Sequence, residues 1–243
     1  MLEVSGLTIP GRLNAVTAQF CLGSVTAICG PNGAGKSTLL AALAGLIAPT
    51  AGSVTVSSEP LHKIPPNDRA RRIGYLPQSA QVAWNISVRT LVGLGRMPHR
   101  SSVAENARAI AGAIDTMQLE ALADRPLSAL SGGERARALL ARVLATQPQW
   151  ILADEPLAAL DLAHQQALAA RLRTIAAEGK GVVVVVHDLA LAMNYVDHVI
   201  VLDKGLVAAS GPPASALSES VIADVWNLEA RWLGTPGHHA LAL

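Results

Sequence analysis

Aromatic residues are scarce in this sequence: they make up 3% of its 243 residues, whereas hydrophobic residues make up 51%. The core must therefore be built from Ala, Val, Leu and Ile, a composition that suits helices packed on a buried parallel sheet. The length is sufficient for one large α/β domain or two small ones.

Cysteine, net charge and long apolar runs are also scarce, and each absence excludes a class of protein. Cys21 and Cys29 are too few for a disulfide framework, which favours a reducing compartment. A formal net charge of +1 provides no basic field for binding nucleic acid. The apolar run in GVVVVVHD is far shorter than the roughly 20 residues of a membrane-spanning helix, and the first residues lack a signal-peptide pattern. We therefore expect a soluble, cytoplasmic protein.

Short β-branched runs alternate with Ala- and Leu-rich stretches along the chain. The runs SVTAIC, WILADE and GVVVVVH predict strands, whereas GSVTV and KGLVAASG indicate antiparallel ribbons. Residues 87–127 have helical spacing and no strong strand, which suggests an inserted helical segment. The pattern predicts an α/β fold with helices between the strands.

A glycine-rich phosphate loop follows the predicted strand VTAIC. Residues 30–37, GPNGAGKS, fit the pattern G-x-x-x-x-G-K-[ST], whose backbone N–H groups point at phosphate oxygens. The alternative, a glycine-rich turn with an incidental lysine, is disfavoured by the strand before it and the helix after it. Lys36 would reach the β- and γ-phosphates, and the Ser37 hydroxyl would bind Mg²⁺. The predicted nucleotide-binding residues are Gly30, Pro31, Asn32, Gly33, Ala34, Gly35, Lys36, Ser37 and Thr38.

Two carboxylates end the apolar run in WILADEP. Asp154 suits a residue that interacts with Mg²⁺ through one of the ion's direct ligands. Glu155 suits the group that polarises the attacking water. An Asp-Glu pair at a strand end is also common as a solvated terminus. Its combination with a phosphate loop favours the functional interpretation.

A second glycine loop, LSGGE at residues 130–134, precedes a helical pattern. One interpretation is a head-to-tail dimer in which Ser131, Gly132 and Gly133 of each copy cap the γ-phosphate held by the other. ATP would then hold two copies together. The alternative is a local helix cap, with Ser131 at the N-cap and Glu134 at the third helical position.

The motifs GPNGAGKST, YLPQS, LSGGE, ILADEP, LAALD and VVHD, in that order, resemble those of an ABC transporter ATP-binding subunit, over about residues 2–211. The resemblance implies a P-loop NTPase core with a mainly parallel sheet, flanking helices, an antiparallel β subdomain and an inserted helical subdomain. The implied boundaries are about 1–86 and 148–230 for the core with its β subdomain, 87–147 for the helical subdomain and 231–243 for a C-terminal tail, in a single domain of residues 1–243.

The resemblance also assigns roles to single residues. Gln78 would touch Mg²⁺ or the lytic water, His187 would contact the γ-phosphate and orient Glu155, and Asp161 would lie in the loop that crosses between two nucleotide sites. Taken alone, Gln78 is an exposed amide and His187 a surface histidine.

The chain departs from the family at two places. Ala158 replaces a small polar residue, and no aromatic precedes Phe20 to stack on adenine, so Arg12 is the candidate for that contact. The alternative for Arg12 is a solvated side chain.

Three further segments, SVRTLVGLGRMPHR, RLNAVTA and EARWLGTPGHHALAL, are similar to ATPase subunits of importers for iron-siderophores, haem and cobalamin. That class implies an ATP-bound homodimer beneath a membrane permease, at the cytoplasmic face of the bacterial inner membrane, with a substrate-binding protein as an indirect partner. The permease would dock near Tyr75, Gln78, Trp84 and the segment 89–97, which begins with Arg89 and ends with Met97. The alternatives are an ABC ATPase of another transporter class and one without a transport role.

Overall fold

The computed structural model describes residues 1–79, 85–158 and 160–243. In chain order the strands are β1 (Leu2–Ile9), β2 (Leu13–Phe20), β3 (Val25–Cys29), β4 (Ala51–Val56), β5 (Glu59–Pro60), β6 (Ile73–Leu76), β7 (Trp150–Asp154), β8 (Gly181–Val185), β9 (His198–Asp203), β10 (Leu206–Gly211), β11 (Arg231–Leu233) and β12 (Ala240–Ala242). The helices are α1 (Lys36–Leu43), α2 (Pro66–Arg72), α3 (Val88–Gly93), α4 (Val103–Thr116), α5 (Gly132–Ala145), α6 (Leu162–Ala177), α7 (Leu189–Tyr195), α8 (Pro213–Ala216) and α9 (Glu219–Trp226).

The central sheet has the strand order β10-β9-β3-β8-β7-β6. All neighbouring pairs are parallel except β10 with β9, which is antiparallel. Every residue of β3, β7 and β8 is buried, as expected of parallel strands covered on both faces. The predicted α/β fold with a mainly parallel sheet is confirmed, and so is the antiparallel pairing of KGLVAASG.

A second, antiparallel sheet has the order β2-β1-β4-β5. Buried and exposed residues alternate along much of β2, which is typical of a sheet with one face on a core and one in water. The segment GSVTV lies in β4, which pairs antiparallel with β1. The antiparallel ribbon predicted for it is therefore confirmed.

Two apolar layers form the core, one on each face of the central sheet. Alternate valines of β8 divide between them: Val182 and Val184 belong to one layer, and Val183 and Val185 to the other. The first layer includes buried residues of α3 to α7, and the second includes α1 and the antiparallel sheet. Among the largest fully buried side chains, Trp150 and Phe20 are aromatic, and the others are Leu, Ile and Met117. The aliphatic core expected from composition is thus observed.

Between Val88 and Ala145 the described elements are all helices. Two of them begin with capping boxes, at Ser102 with Glu105 and at Ser131 with Glu134. In each box a serine hydroxyl and a glutamate satisfy backbone N–H groups that have no partner inside the helix. The boundaries of a helical subdomain remain a prediction.

Residues 231–242, within the predicted C-terminal tail, contain a hairpin of β11 and β12. Asn194 of α7 holds the hairpin through two hydrogen bonds: its Nδ2 donates to the His239 carbonyl at 2.8 Å, and its Oδ1 accepts from the His239 N–H at 2.7 Å. Trp232 Nε1 donates to the Leu217 carbonyl at 2.7 Å. Among the described helices, none is both long and apolar enough to cross a membrane.

Close packing between β7 and β8 generates a stability prediction. A Cβ at Gly181 would lie 2.1 Å from Cζ3 of the fully buried Trp150, whereas a Cβ at Gly112 in α4 would meet nothing within 4 Å. We expect Gly181→Ala to lower the free energy of unfolding by about 1–3 kcal/mol because the core is overpacked. The control Gly112→Ala should raise it by up to about 1 kcal/mol through helix propensity. Urea unfolding measures both, and equal midpoints would contradict the packing.

Candidate active site

The phosphate loop connects β3 to α1 and depends on glycine at both ends. Gly30, Gly33 and Gly35 have φ values of 146°, 82° and 101°, which side chains rarely permit. A Cβ at Gly30 would lie 2.1 Å from the Leu202 carbonyl oxygen, and one at Gly35 would lie 2.7 Å from the Arg12 carbonyl oxygen. The loop is therefore fixed between the β9 strand and the β1–β2 turn.

Lys36 lies inside the phosphate loop and is 6% exposed. Its Nζ donates to the carbonyls of Gly30 and Pro31 at 2.8 and 2.9 Å. Burial lowers the pKa of Lys36, and the charges of Glu155, Cys29 and Asp154 act in the opposite direction. The ammonium group is thus held against two carbonyls of the loop, and its contact with phosphate stays a prediction.

Ser37 and Asp154 meet where α1 begins and β7 ends. The Ser37 hydroxyl donates to Asp154 Oδ1 at 3.1 Å. Asp154 is 4% exposed, and its burial raises the pKa of the carboxyl, while the Ser37 hydrogen bond and the charge of Lys36 oppose the rise. A hydroxyl and a carboxylate side by side are the hard oxygen ligands that Mg²⁺ prefers. The chemistry of these two groups therefore fits the predicted ion.

The Glu155 cluster, which we define as Gln78, Glu155 and His187, lies at the carboxyl ends of β6, β7 and β8. These strands are adjacent in the sheet. Gln78 Nε2 donates to Glu155 Oε2 at 2.8 Å, and His187 Nε2 lies 2.6 Å from Glu155 Oε1. The structure therefore brings together the three side chains that the sequence predicted to be catalytic.

Glu155 adopts an unusual backbone conformation, with φ of 50°. For a residue other than glycine, this backbone conformation costs about 1–3 kcal/mol, and it persists only where the surrounding structure imposes it. Here the two hydrogen bonds to the carboxylate fix the residue directly after the buried β7. The direct Gln78–Glu155 contact was not foreseen, since the sequence analysis assigned Gln78 to Mg²⁺ or water.

The signature loop, residues 130–134, forms the local cap that the sequence analysis gave as an alternative. Ser131 Oγ accepts from the Glu134 N–H at 3.3 Å, and the Ser131 N–H donates to Glu134 Oε2 at 2.8 Å. The N–H groups of Gly132 and Gly133 lie in the first turn of α5, where they have no intrahelical acceptor. The cap therefore leaves donors available and does not exclude a second role.

Asp161 and Arg12 lie at the edges of the site. Asp161 caps α6: its Oδ1 accepts from the His164 N–H at 2.9 Å and lies 2.7 Å from His164 Nδ1, and these bonds lower the pKa of the carboxyl. Arg12 is exposed in the β1–β2 turn. Its carbonyl packs against Gly35 and Gly205, so the turn borders the phosphate loop. Contact of Arg12 with adenine and of Asp161 with a second site both stay predictions.

The sequence of the chain matches known proteins along most of its length. The family model described as ABC transporter matches residues 13–158. The chain is 45% identical over 231 residues to the hemin import ATP-binding protein HmuV of Rhodococcus jostii, covering 93% of this chain and 79% of that protein. It is 38% identical over 240 residues to HmuV of Pseudomonas entomophila, covering 94% and 93% of the two chains.

Solved structures share the fold. An inward-facing putative metal-chelate type ABC transporter aligns with a TM-score of 0.85 at 26% identity, covering 99% of this chain and 95% of that one. A dimeric bacterial ABC transporter cassette aligns with a TM-score of 0.77 at 27% identity, covering 88% and 99%. The chain therefore has the fold of solved ABC transporter proteins.

The two cysteines differ in burial. Cys29, directly before Gly30, is fully buried, and burial raises its pKa to about 12, whereas Cys21 is exposed. We expect a thiol reagent at pH 8 to modify Cys21 alone in the native protein, and both after denaturation. A Cys21→Ser variant is the control and should show no rapid reaction. Rapid modification of Cys29 in that variant would contradict the burial.

Proposed function

Since the chain belongs to the ABC transporter family as an ATP-hydrolysing, ATP-binding subunit, we propose that it powers the import of haem through separate membrane subunits. The importer class rests on the relatives, which are named as hemin import proteins. The observation that carries the chemistry is the Glu155 cluster beside the phosphate loop.

In the proposed reaction Glu155 is the general base. A water held by its carboxylate attacks the γ-phosphorus of ATP, the water proton passes to the carboxylate, and the bond to the β–γ bridging oxygen breaks to give ADP and phosphate. His187 and Gln78 hold the two carboxylate oxygens, so that Glu155 is oriented before the substrate arrives. Lys36 and the N–H groups of the phosphate loop bind the phosphates.

We assign the magnesium ion that accompanies ATP to Ser37 and Asp154, with the amide oxygen of Gln78 as a further candidate. Gln78 uses its Nε2 for Glu155, so its amide oxygen remains an acceptor. When bound, the ion neutralises phosphate charge. The proposal is supported by the adjacent oxygens of Ser37 and Asp154.

A homodimer completes the site in this proposal. Ser131 Oγ accepts a hydrogen bond within its own cap, and its hydroxyl also bonds to the Glu134 carboxylate. In the proposed dimer this hydroxyl would turn from Glu134 to donate to a γ-phosphate held by another copy. The N–H groups of Gly132 and Gly133 add donors at the positive end of α5. Asp161 would lie near the same boundary. A related cassette has been solved as a dimer, which supports the arrangement.

We propose that the permease docks on the groove beside Tyr75. This groove has a volume of about 420 Å³ and is bordered by Leu94 and Met97. Leu94 is 40% exposed and Met97 is 79% exposed, so an apolar helix would cover side chains that now face water. The subunit would thereby be held at the cytoplasmic face of the bacterial inner membrane.

Arg96 and Trp84 belong to the region where the permease is predicted to dock. Arg96, inside the segment 89–97, is 7% exposed and donates to Asn106, Ala145, Gln147 and Ser101. It therefore supports the groove from within and is not part of the docking surface. Trp84 lies outside the described residues.

We expect Glu155→Gln to reduce kcat for ATP hydrolysis by about a hundredfold or more, because a positioned general base contributes roughly 10²–10⁴-fold. KM for ATP should change little, since Lys36 and the phosphate loop remain. Glu178→Gln, the same change at the exposed residue that follows α6, is the matched control. Equal phosphate release by the two variants would contradict the role of Glu155.

The haem assignment is tested in cells. A strain whose only copy of this gene carries Glu155→Gln should fail to grow with haem as its sole iron source and should grow normally on a ferric siderophore. The strain carrying Glu178→Gln should grow on both. Loss of growth on the siderophore, with normal growth on haem, would show that the transported substrate is a siderophore. Loss of cobalamin uptake alone would replace it by cobalamin.

A further inference from the structure

A basic cavity lies between α5 and α6, and none of the residues of the Glu155 cluster lines it. We call it the α5–α6 cavity. Its volume is about 250 Å³, which is several times the roughly 30 Å³ that a water molecule occupies in the liquid. It is therefore large enough for a small hydrated ion.

Residues on one face of α5 and on one face of α6 line the cavity. Gly133 and Arg137 are four residues apart on α5, and His164 and Arg171 are seven residues apart on α6, so each pair shares one face of its helix. Ala167 lies between the two basic residues of α6 and leaves space for them. The two helices consequently present three basic side chains to one common space.

The charges in the cavity are unbalanced. Arg137, His164 and Arg171 line it, and no carboxylate does. Asp161 is engaged by the N–H and Nδ1 of His164. Glu134, whose pKa the charge of Arg137 helps to lower, is engaged by Ser131. Two guanidinium groups that share a cavity repel each other unless an anion lies between them.

Arg137 provides a second, independent observation. Its Nε is buried and has no hydrogen-bond partner among the described residues. Buried donors in folded proteins nearly always have a partner. Arg171 likewise forms no ion pair with the described part of the chain. Guanidinium donors of this kind match the oxygens of phosphate in geometry and charge.

We propose that the α5–α6 cavity binds inorganic phosphate, with Arg137 and Arg171 as guanidinium donors and His164 Nε2 as a third contact. The anion would connect the helix that begins at the signature loop to the helix that Asp161 caps. Its regulatory consequence rests on the proposed function: phosphate released by hydrolysis would bind here and stiffen the α5–α6 pair, which gives feedback by product.

Binding is measured in a Lys36→Ala background, because the phosphate loop would otherwise bind phosphate itself. Calorimetric titration with inorganic phosphate should give a dissociation constant that rises at least tenfold when Arg171→Gln is added. Arg173→Gln is the matched control, because Arg173 lies two residues further along α6 and is exposed. It should leave the dissociation constant unchanged. Circular dichroism of each variant verifies that α6 is intact.

Three outcomes would overturn the proposal: no phosphate binding in the Lys36→Ala background, equal affinity for phosphate with and without Arg171→Gln, or an affinity for ADP, and not for phosphate, that Arg171→Gln weakens. The last would assign the cavity to a nucleotide. The titration requires no hydrolysis, so its failure is distinguishable from failure of the ATPase assignment. Arg137→Lys provides a second variant, which keeps the charge, removes the fork of donors and should weaken binding.

Discussion

The carboxylate of Glu155 is held between Gln78 Nε2 and His187 Nε2, and this interaction ties together three separate parts of the chain. It requires β6, β7 and β8 to be neighbours, which in turn requires the helices between them to cover the sheet on both faces. Glu155, with φ of 50°, lies at this meeting point of the three strands. A loose sheet would not hold two oxygens of one carboxylate at 2.6 and 2.8 Å from their donors.

The two glycine loops use the same backbone chemistry for different purposes. In the phosphate loop, glycines at positive φ let the chain pass close to Leu202 and to the β1–β2 turn. In the signature loop, Ser131 and Glu134 satisfy each other, and the glycine N–H groups are left at the end of α5. One chain thus contains a phosphate loop and, separately, a signature loop that caps α5. In the proposed dimer, an ATP shared between two copies would give both loops a ligand.

The sequence was most informative where local chemistry decides the structure. The pattern GPNGAGKS predicted a glycine-rich phosphate loop, the apolar runs predicted strands, and the spacing of Ser131 and Glu134 allowed a helix cap as the alternative interpretation. Contacts between distant segments were not accessible in this way. The Gln78–Glu155 hydrogen bond joins residues that are 77 positions apart, and only the strand order makes them neighbours. Arg96 was grouped with a docking surface because a lone arginine gives no sign that four partners will bury it. The β11–β12 hairpin was missed because strands of three residues carry too little pattern.

Light scattering of Glu155→Gln tests most directly whether ATP joins two copies through Ser131. With ATP in the absence of Mg²⁺, the measured mass should rise from 25.2 kDa to twice that value. Adding Ser131→Phe to the same chain should abolish the rise while fluorescent ATP still binds the monomer. A mass that stays at 25.2 kDa for Glu155→Gln with bound ATP would contradict the shared site.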